Sequence, residues 1–470
     1  MQHLHDQIFT SKLHGYEVIP YKVTTLDRTQ ITVHRLVHPS DFPTRGPSPG
    51  SKKPYLFVHG LFGSSGGFIN PIEEDYVPQP FSVNIRQRIN KHLDRYAQRF
   101  EYDWKSTADL FRNNLDIKSR QSSFAQKYEP DYNGDPSSFG RAFSQGYRKF
   151  QLDRDDLQHV TSSLAATMSN FANDVWMINM RGNNYSPTDR WNFKLDTVAE
   201  QDLPEVIKFI QQQAQWSDPI GLITYSYGSI YALKLLASLP RYGHMLEPIV
   251  MMAPTVMSSK DMGVGISKRT LVRLGSRTLI SGMGPFPATE HNKGLDSIVC
   301  QLPVASKMCR LPEQLVTGGV GKAASVTDLV MKNRKASLSQ KDMDCGRTSK
   351  ALLNQILTNF LDHKMLQAFK PANNPIKTKD PKRRSVILVH STMDETSTPT
   401  EVRNIRDRLL QTMLLVDYTI TTPNFRHADF LFSRRNKILV NAEIVRMTQI
   451  YDHLMYNRNA NLPTEVMRTH

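Results

Sequence analysis

Residues 218–240 read DPIGLITYSYGSIYALKLLASLP. An apolar run of strand length enters Thr224-Tyr225-Ser226-Tyr227-Gly228, and a segment with helix-like apolar spacing leaves it and stops at Pro240. A serine on so sharp a strand-to-helix turn is lifted above the sheet with its hydroxyl exposed. The residues around it must be small, because strand and helix approach closely. Gly228 meets that demand, whereas Thr224 stands where glycine is usual and is bulkier. The helix that follows would turn its positive end toward negative charge developing near Ser226. The competing reading makes Ser226 a helix N-cap, a common role for serine. Two literal matches to Gly-x-Ser-x-Gly lie elsewhere. Prolines flank Ser48, which reads as linker. The glycines around Ser65 read as flexible chain, with no apolar-striped helix expected after them.

Working outward, strands alternate with helices. YEVIPYKVTTLDRTQITVHRLVHP alternates apolar and polar residues and predicts a hairpin turning at Leu26-Asp27-Arg28. YLFVHG, NDVWMINMRG (173–182), EPIVMMAP, SVILVH (385–390) and LLVDYTI (414–420) predict buried strands. DLPEVIKFIQQQA predicts a helix, with Leu203, Val206, Ile207 and Ile210 on one stripe and Pro204 in its first turn. A long amphipathic segment, RNKILVNAEIVRMTQIYDHLM, closes the pattern. Such alternation predicts an α/β fold, a mainly parallel sheet with helices on both faces. Residues from about 71 to 160 carry many charges, amides and serines and read as an insertion of helices and loops; those from about 257 to 380 form a second irregular, mostly helical block.

A nucleophile elbow of the α/β-hydrolase kind calls for an acid after a later strand and a histidine after the last. Asp394 follows SVILVH, with Glu395 beside it, and His427 follows LLVDYTI. A histidine takes and returns a proton near neutrality, and a carboxylate fixes its tautomer and stabilises the imidazolium. Ser226, Asp394 and His427 are therefore the expected nucleophile, acid and base. The oxyanion would be held by the backbone N–H of Tyr227 and by one from the glycine-bearing loop HGLFG (59–63), assigned to Leu61; the plainer reading of His59-Gly60 is a strand-ending turn.

The chain has 470 residues, 59 Lys and Arg against 44 Asp and Glu, and a formal charge of +15. Hydrophobic residues at 39% exclude a disordered chain, and no apolar run is long enough to span a bilayer. The basic balance admits a polyanion or an anionic lipid surface, but no nucleic-acid-binding signature is present. The densest basic run, KTKDPKRRS (377–385), reads as a solvated connection. Three cysteines, Cys300, Cys309 and Cys345, permit at most one internal bridge. Asn184-Tyr185-Ser186 is a glycosylation triplet that matters only in a secreted chain. The first residues, MQHLHDQIFTSKLHGYEV, show no apolar stretch of the signal-peptide kind.

The motifs VTTLDRTQITVHR, LFVHGL, NDVWMINMRGNNYS, RWNF, TYSYG, APTV, GRTSKALLNQIL, LQAF and RHADF together resemble the animal acid lipases, the group of lysosomal acid lipase and gastric lipase. The resemblance spans about residues 15 to 435 and implies an α/β-hydrolase core with a helical cap. In that scheme 1–256 is the first part of the core, with the insertion at about 71–160; 257–380 is the cap and 381–470 the rest of the core. It implies a serine esterase cleaving triacylglycerols or steryl esters, often in acid, at a membrane, droplet or micelle surface. It supports Ser226, Asp394 and His427, with Leu61 and Tyr227 as backbone donors. It places the family's cap disulfide on Cys300 and Cys309, leaves Cys345 free, and implies no metal or organic cofactor. The implied location is lysosomal or secreted, an expectation that the polar first residues do not support. In a cap that opens at lipid, apolar segments such as GMGPFP (282–287) are expected to be exposed. Tyr227 replaces the family's usual glutamine, and its ring is expected to reshape the pocket. An acyltransferase using the same three residues and a non-catalytic hydrolase-like binding protein are the rival readings.

Overall fold

Alternating Thr, Val and Ile produce β1 (Glu17–Thr24) and β2 (Gln30–Val37), paired antiparallel from Glu17 opposite Val37 to Thr24 opposite Gln30. Arg28 takes the left-handed conformation (φ 63°) in the turn between them, its N–H bonded to the Thr25 carbonyl. This is a computed structural model, and it describes residues 15–41, 47–48, 50–61, 63–69, 76–78, 138–255, 284–286, 347–362, 385–410 and 413–460.

The buried apolar runs become β3 (Pro54–Val58), β4 (Asp174–Asn179), β5 (Ile220–Tyr225), β6 (Leu246–Met252), β7 (Val386–Ser391) and β8 (Leu414–Ile420). All join one eight-stranded sheet in the order β1-β2-β4-β3-β5-β6-β7-β8. β2 pairs antiparallel with β4, and every pair beyond it is parallel. A parallel sheet is covered on both faces, which is why these strands lack polar alternation.

Seven helices of seven or more residues, among the described residues, flank the sheet or lead into it: α1 (Ser138–Lys149), α2 (Leu164–Asn170), α3 (Leu203–Ala214), α4 (Gly228–Ser238), α5 (Lys350–Asp362), α6 (Pro399–Leu409) and α7 (Ala442–Ala460). Side chains alternate along each strand, so every strand feeds two cores. Leu56, Val58 and Leu222 pack with Val206 of α3, Ile230 of α4, Leu353 of α5 and Val402 of α6. Tyr55, Phe57 and Ile223 pack with Phe143 of α1, Leu164 of α2 and Ile444 and Tyr451 of α7. Helices thus cover both faces, and the fold is that of an α/β-hydrolase.

Of the expected cap, Gly284–Phe286 and residues 347–362 are described. Pro285–Phe286 pairs antiparallel with Thr348–Ser349, just before α5. Gly284 and Pro285 are half-buried there, not exposed as GMGPFP was expected to be. The rest of the cap, with Cys300, Cys309 and Cys345, lies outside the described residues. So do residues 377–384 of the basic run and 71–75 and 79–137 of the insertion, whose last part forms α1 and the segment up to α2. Among the described residues no helix is long and apolar enough to cross a membrane.

Candidate active site

The strand β5 ends at Tyr225, and Ser226 follows in the left-handed conformation (φ 55°). A non-glycine residue there is strained, and surrounding structure must hold it. The Ser226 N–H donates to the Met252 carbonyl at 2.9 Å, and the Ser226 carbonyl accepts from the Ser229 N–H at 3.1 Å. The second bond starts α4 and completes the turn. Gly228 is required: a methyl carbon there would lie 2.5 Å from the Val58 carbonyl oxygen and 2.9 Å from that of His59. Thr224 fits because its hydroxyl is used, 2.8 Å from that of Ser229. Ser226 is not the N-cap of α4; Tyr227 precedes the helix and its side chain makes no capping bond.

The Ser226 hydroxyl points instead to His427, whose Nε2 is 2.8 Å from it. His427 Nδ1 is 2.8 Å from Asp394 Oδ2. Because a carboxylate accepts, Nδ1 carries the proton and Nε2 offers its lone pair to the serine O–H. Asp394 has its other oxygen occupied by the Thr396 and Ser397 amides, both at 2.8 Å, so only Oδ2 is left for the imidazole. Glu395 beside it is exposed and faces Arg426 at 3.6 Å. His427 and Asp394 are buried, and Ser226 is 7% exposed.

The loop after β3 reaches the same place. A methyl carbon on Gly60 would lie 3.0 Å from Ser226 Cβ and 3.5 Å from its Oγ. The Gly60 carbonyl accepts from His59 Nδ1–H at 2.7 Å and from the Gly63 N–H at 3.1 Å. His59 Nε2 accepts from the Met180 N–H at 3.1 Å. Burial pushes the His59 pKa down to about 4, so the ring stays neutral and both bonds persist at neutral pH. The Gly60 carbonyl and the Leu61 N–H belong to one planar peptide unit, so holding the first orients the second. Among the described residues neither the Leu61 nor the Tyr227 amide meets a protein acceptor. The Tyr227 ring does not turn toward the site: it packs edge-on against Tyr231 in the core beside α4, with centroids 5.3 Å apart.

Three supports were not singled out from the sequence. Tyr225 donates its O–H to the His427 carbonyl, Ser391 bonds the loops that carry Asp394 and His427, and His59 ties Gly60 to the end of β4. Adjacency to Ser226 was the one signal for Tyr225. Ser65 corrects an expectation. It is fully buried at the start of a short helix (Gly66–Ile69), its Oγ 2.8 Å from His34 Nδ1 and its N–H bonded to Asn179. These glycines form an ordered bend, not flexible chain.

Within NDVWMINMRGNNYS, the segment MRGNNYS braces the fold. Arg181 joins Asp27 of the hairpin turn and Asp202 before α3. Asn183 Oδ1 accepts from the Tyr185 and Ser186 amides, both at 3.0 Å. Ser186, the last residue of the glycosylation triplet, is buried and bonded to Asn179 and Thr32. A cavity of about 720 Å³ opens beside Asp27, Arg181, Arg190, Trp191 and Phe193, and none of Ser226, Asp394, His427, Leu61 or Tyr227 lines it. Among the described residues no group of three or more His, Cys, Asp and Glu is placed to hold a metal ion.

Sheet order and elbow together define an α/β-hydrolase. Residues 9–71 match the model of a partial α/β-hydrolase lipase region. Human lipase member J is 26% identical over 158 residues, which cover 32% of this chain and 43% of that one. Bovine gastric triacylglycerol lipase is 23% identical over 301 residues, 61% of this chain and 74% of that one. Across such relatives the matched stretches span from about a fifth to about three quarters of the other protein. The monoacylglycerol lipase of Paleococcus ferrophilus superposes with a TM-score of 0.35 at 12% identity, over 93% of this chain and 99% of that one. The sequence matches support an acid-lipase-like family for this chain.

Proposed function

We propose that the chain is a serine esterase that hydrolyses lipid esters, triacylglycerols or steryl esters, through an acyl-enzyme on Ser226. The observation that carries the reading is His427 bridging Ser226 and Asp394, 2.8 Å from each. His427 takes the Ser226 proton as the oxygen attacks the ester carbonyl, and Asp394 stabilises the imidazolium that forms. The Leu61 and Tyr227 amides receive the oxyanion; loss of one such donor costs about 10²–10³ in rate. His427 then protonates the departing alcohol, and water repeats the sequence to release the acid. Similarity to gastric lipase supports the choice of lipid esters. The segment 257–380 is the candidate cap over the acyl chain.

The test is a panel of triolein, cholesteryl oleate and short-chain esters at acidic and neutral pH, with and without an added alcohol acceptor. Wild type is expected to release free fatty acid from a long-chain ester, and Ser226→Ala to release none while keeping its fold. Transfer to the added alcohol as the main product would make the protein an acyltransferase. Cleavage by Ser226→Ala at the wild-type rate would exclude the assignment.

A further inference from the structure

His427 stands in a loop, and a general base must be kept within hydrogen-bond reach of the group it deprotonates. Two side chains at strand ends hold that loop. Ser391, the last residue of β7, donates to the Phe425 carbonyl at 2.7 Å and accepts the Met393 N–H at 3.1 Å. Tyr225, the last residue of β5, donates its hydroxyl to the carbonyl of His427 itself at 2.9 Å. Its ring also lies against the imidazole, with centroids 5.1 Å apart and planes 30° apart. Burial, with Asp394 and Asp429 adding to it, pushes the Tyr225 phenol well above its ordinary pKa, so it stays a donor across any working range.

Tyr225 is also the covalent neighbour of Ser226. One side chain therefore spans from the strand that carries the serine to the backbone that carries the histidine. We infer that Tyr225 is a positioning residue for His427, whose hydroxyl sets the base's backbone and whose ring sets the imidazole plane relative to the Ser226 hydroxyl. The inference rests on the roles proposed above for Ser226 and His427. A role confined to core packing would affect stability alone. A positioning role affects the reaction as well, because a small misplacement of a reacting group is costly.

Tyr225→Phe keeps the ring and removes the hydroxyl; Tyr225→Leu removes both. In the Phe variant kcat for a soluble ester such as p-nitrophenyl butyrate is expected to fall about tenfold, with KM within about twofold of wild type. Labelling of Ser226 by a fluorophosphonate is expected to slow by the same factor, and the Leu variant to lose more on both counts. The low-field proton resonance of His427 Nδ1–H, identified by its loss in His427→Gln, is expected to shift in the Phe variant without any substrate present. A Phe variant with a lowered Tm but wild-type kcat, labelling rate and resonance would overturn this inference alone. A wild-type chain that neither labels nor cleaves esters would overturn the reading of the site and this inference with it. Circular dichroism checks folding; where the Leu variant does not fold, the Phe variant decides.

Discussion

Three histidines, His34, His38 and His59, are buried and held neutral: burial pushes their pKa values down to about 3, 4 and 4. In the unfolded chain each titrates near 6.5. As pH falls through that value the unfolded chain binds protons that the folded chain refuses until about pH 4. Each contribution is therefore complete above about pH 6.5 and is lost as pH falls from there to about 4, or about 3 for His34, at about 3 kcal/mol per histidine for a depression of about two units. Melting curves from pH 7.5 to 4.5 are expected to show Tm falling by about 5–10 °C. A Tm that is flat or rises over this range would contradict the buried, neutral assignment. His59 links this behaviour to the site, since its protonation removes the acceptor for the Met180 N–H and with it one anchor of the Gly60–Leu61 peptide.

At the scale of elements, Arg181 fastens the β1–β2 turn and the approach to α3 onto the end of β4, through Asp27 and Asp202. The arginine and Asp202 are both buried, so removing one leaves the other as an uncompensated charge. Arg181→Met is expected to cost about 3–5 kcal/mol, and the double variant with Asp202→Leu to recover much of it. The fraction still folded should label at Ser226 at the wild-type rate; a specific loss of labelling would mean that this clamp reaches the site. The same elements show how far a single sequence can be read. The hairpin, β3 to β8, α3 and α4 were legible because apolar periodicity, glycine and proline mark them directly. That β2 would lie antiparallel beside β4, and not next to β3, was not, since sheet order depends on crossovers that no local pattern encodes. The same applies to Thr224. Its bulk reads as a conflict until Ser229, the second residue of α4, is seen to bond its hydroxyl. Asp394 could be named from its place after a strand, but its preference over Glu395 comes from the Thr396 and Ser397 amides, a loop geometry that sequence leaves open.

For the whole molecule, topology does the gathering. Leu61 follows β3, Ser226 β5, Asp394 β7 and His427 β8, so all four project from the carboxyl edge of parallel strands, where open α/β sheets bind ligands. Residues 201 positions apart thereby meet at 2.8 Å. The motifs that carry the acid-lipase resemblance divide by task. Some, such as TYSYG and RHADF, carry the proposed chemistry, and others, such as MRGNNYS, brace the scaffold beneath it. A fluorophosphonate combined with intact-mass analysis and peptide mapping asks whether Ser226 is an activated nucleophile, because only an activated serine beside an oxyanion site reacts quickly. One adduct is expected, on Ser226, lost in Ser226→Ala and slowed by about 10³ or more in His427→Ala. An intact chain that takes up no probe, or takes it up on another residue with Ser226 unmodified, would contradict it.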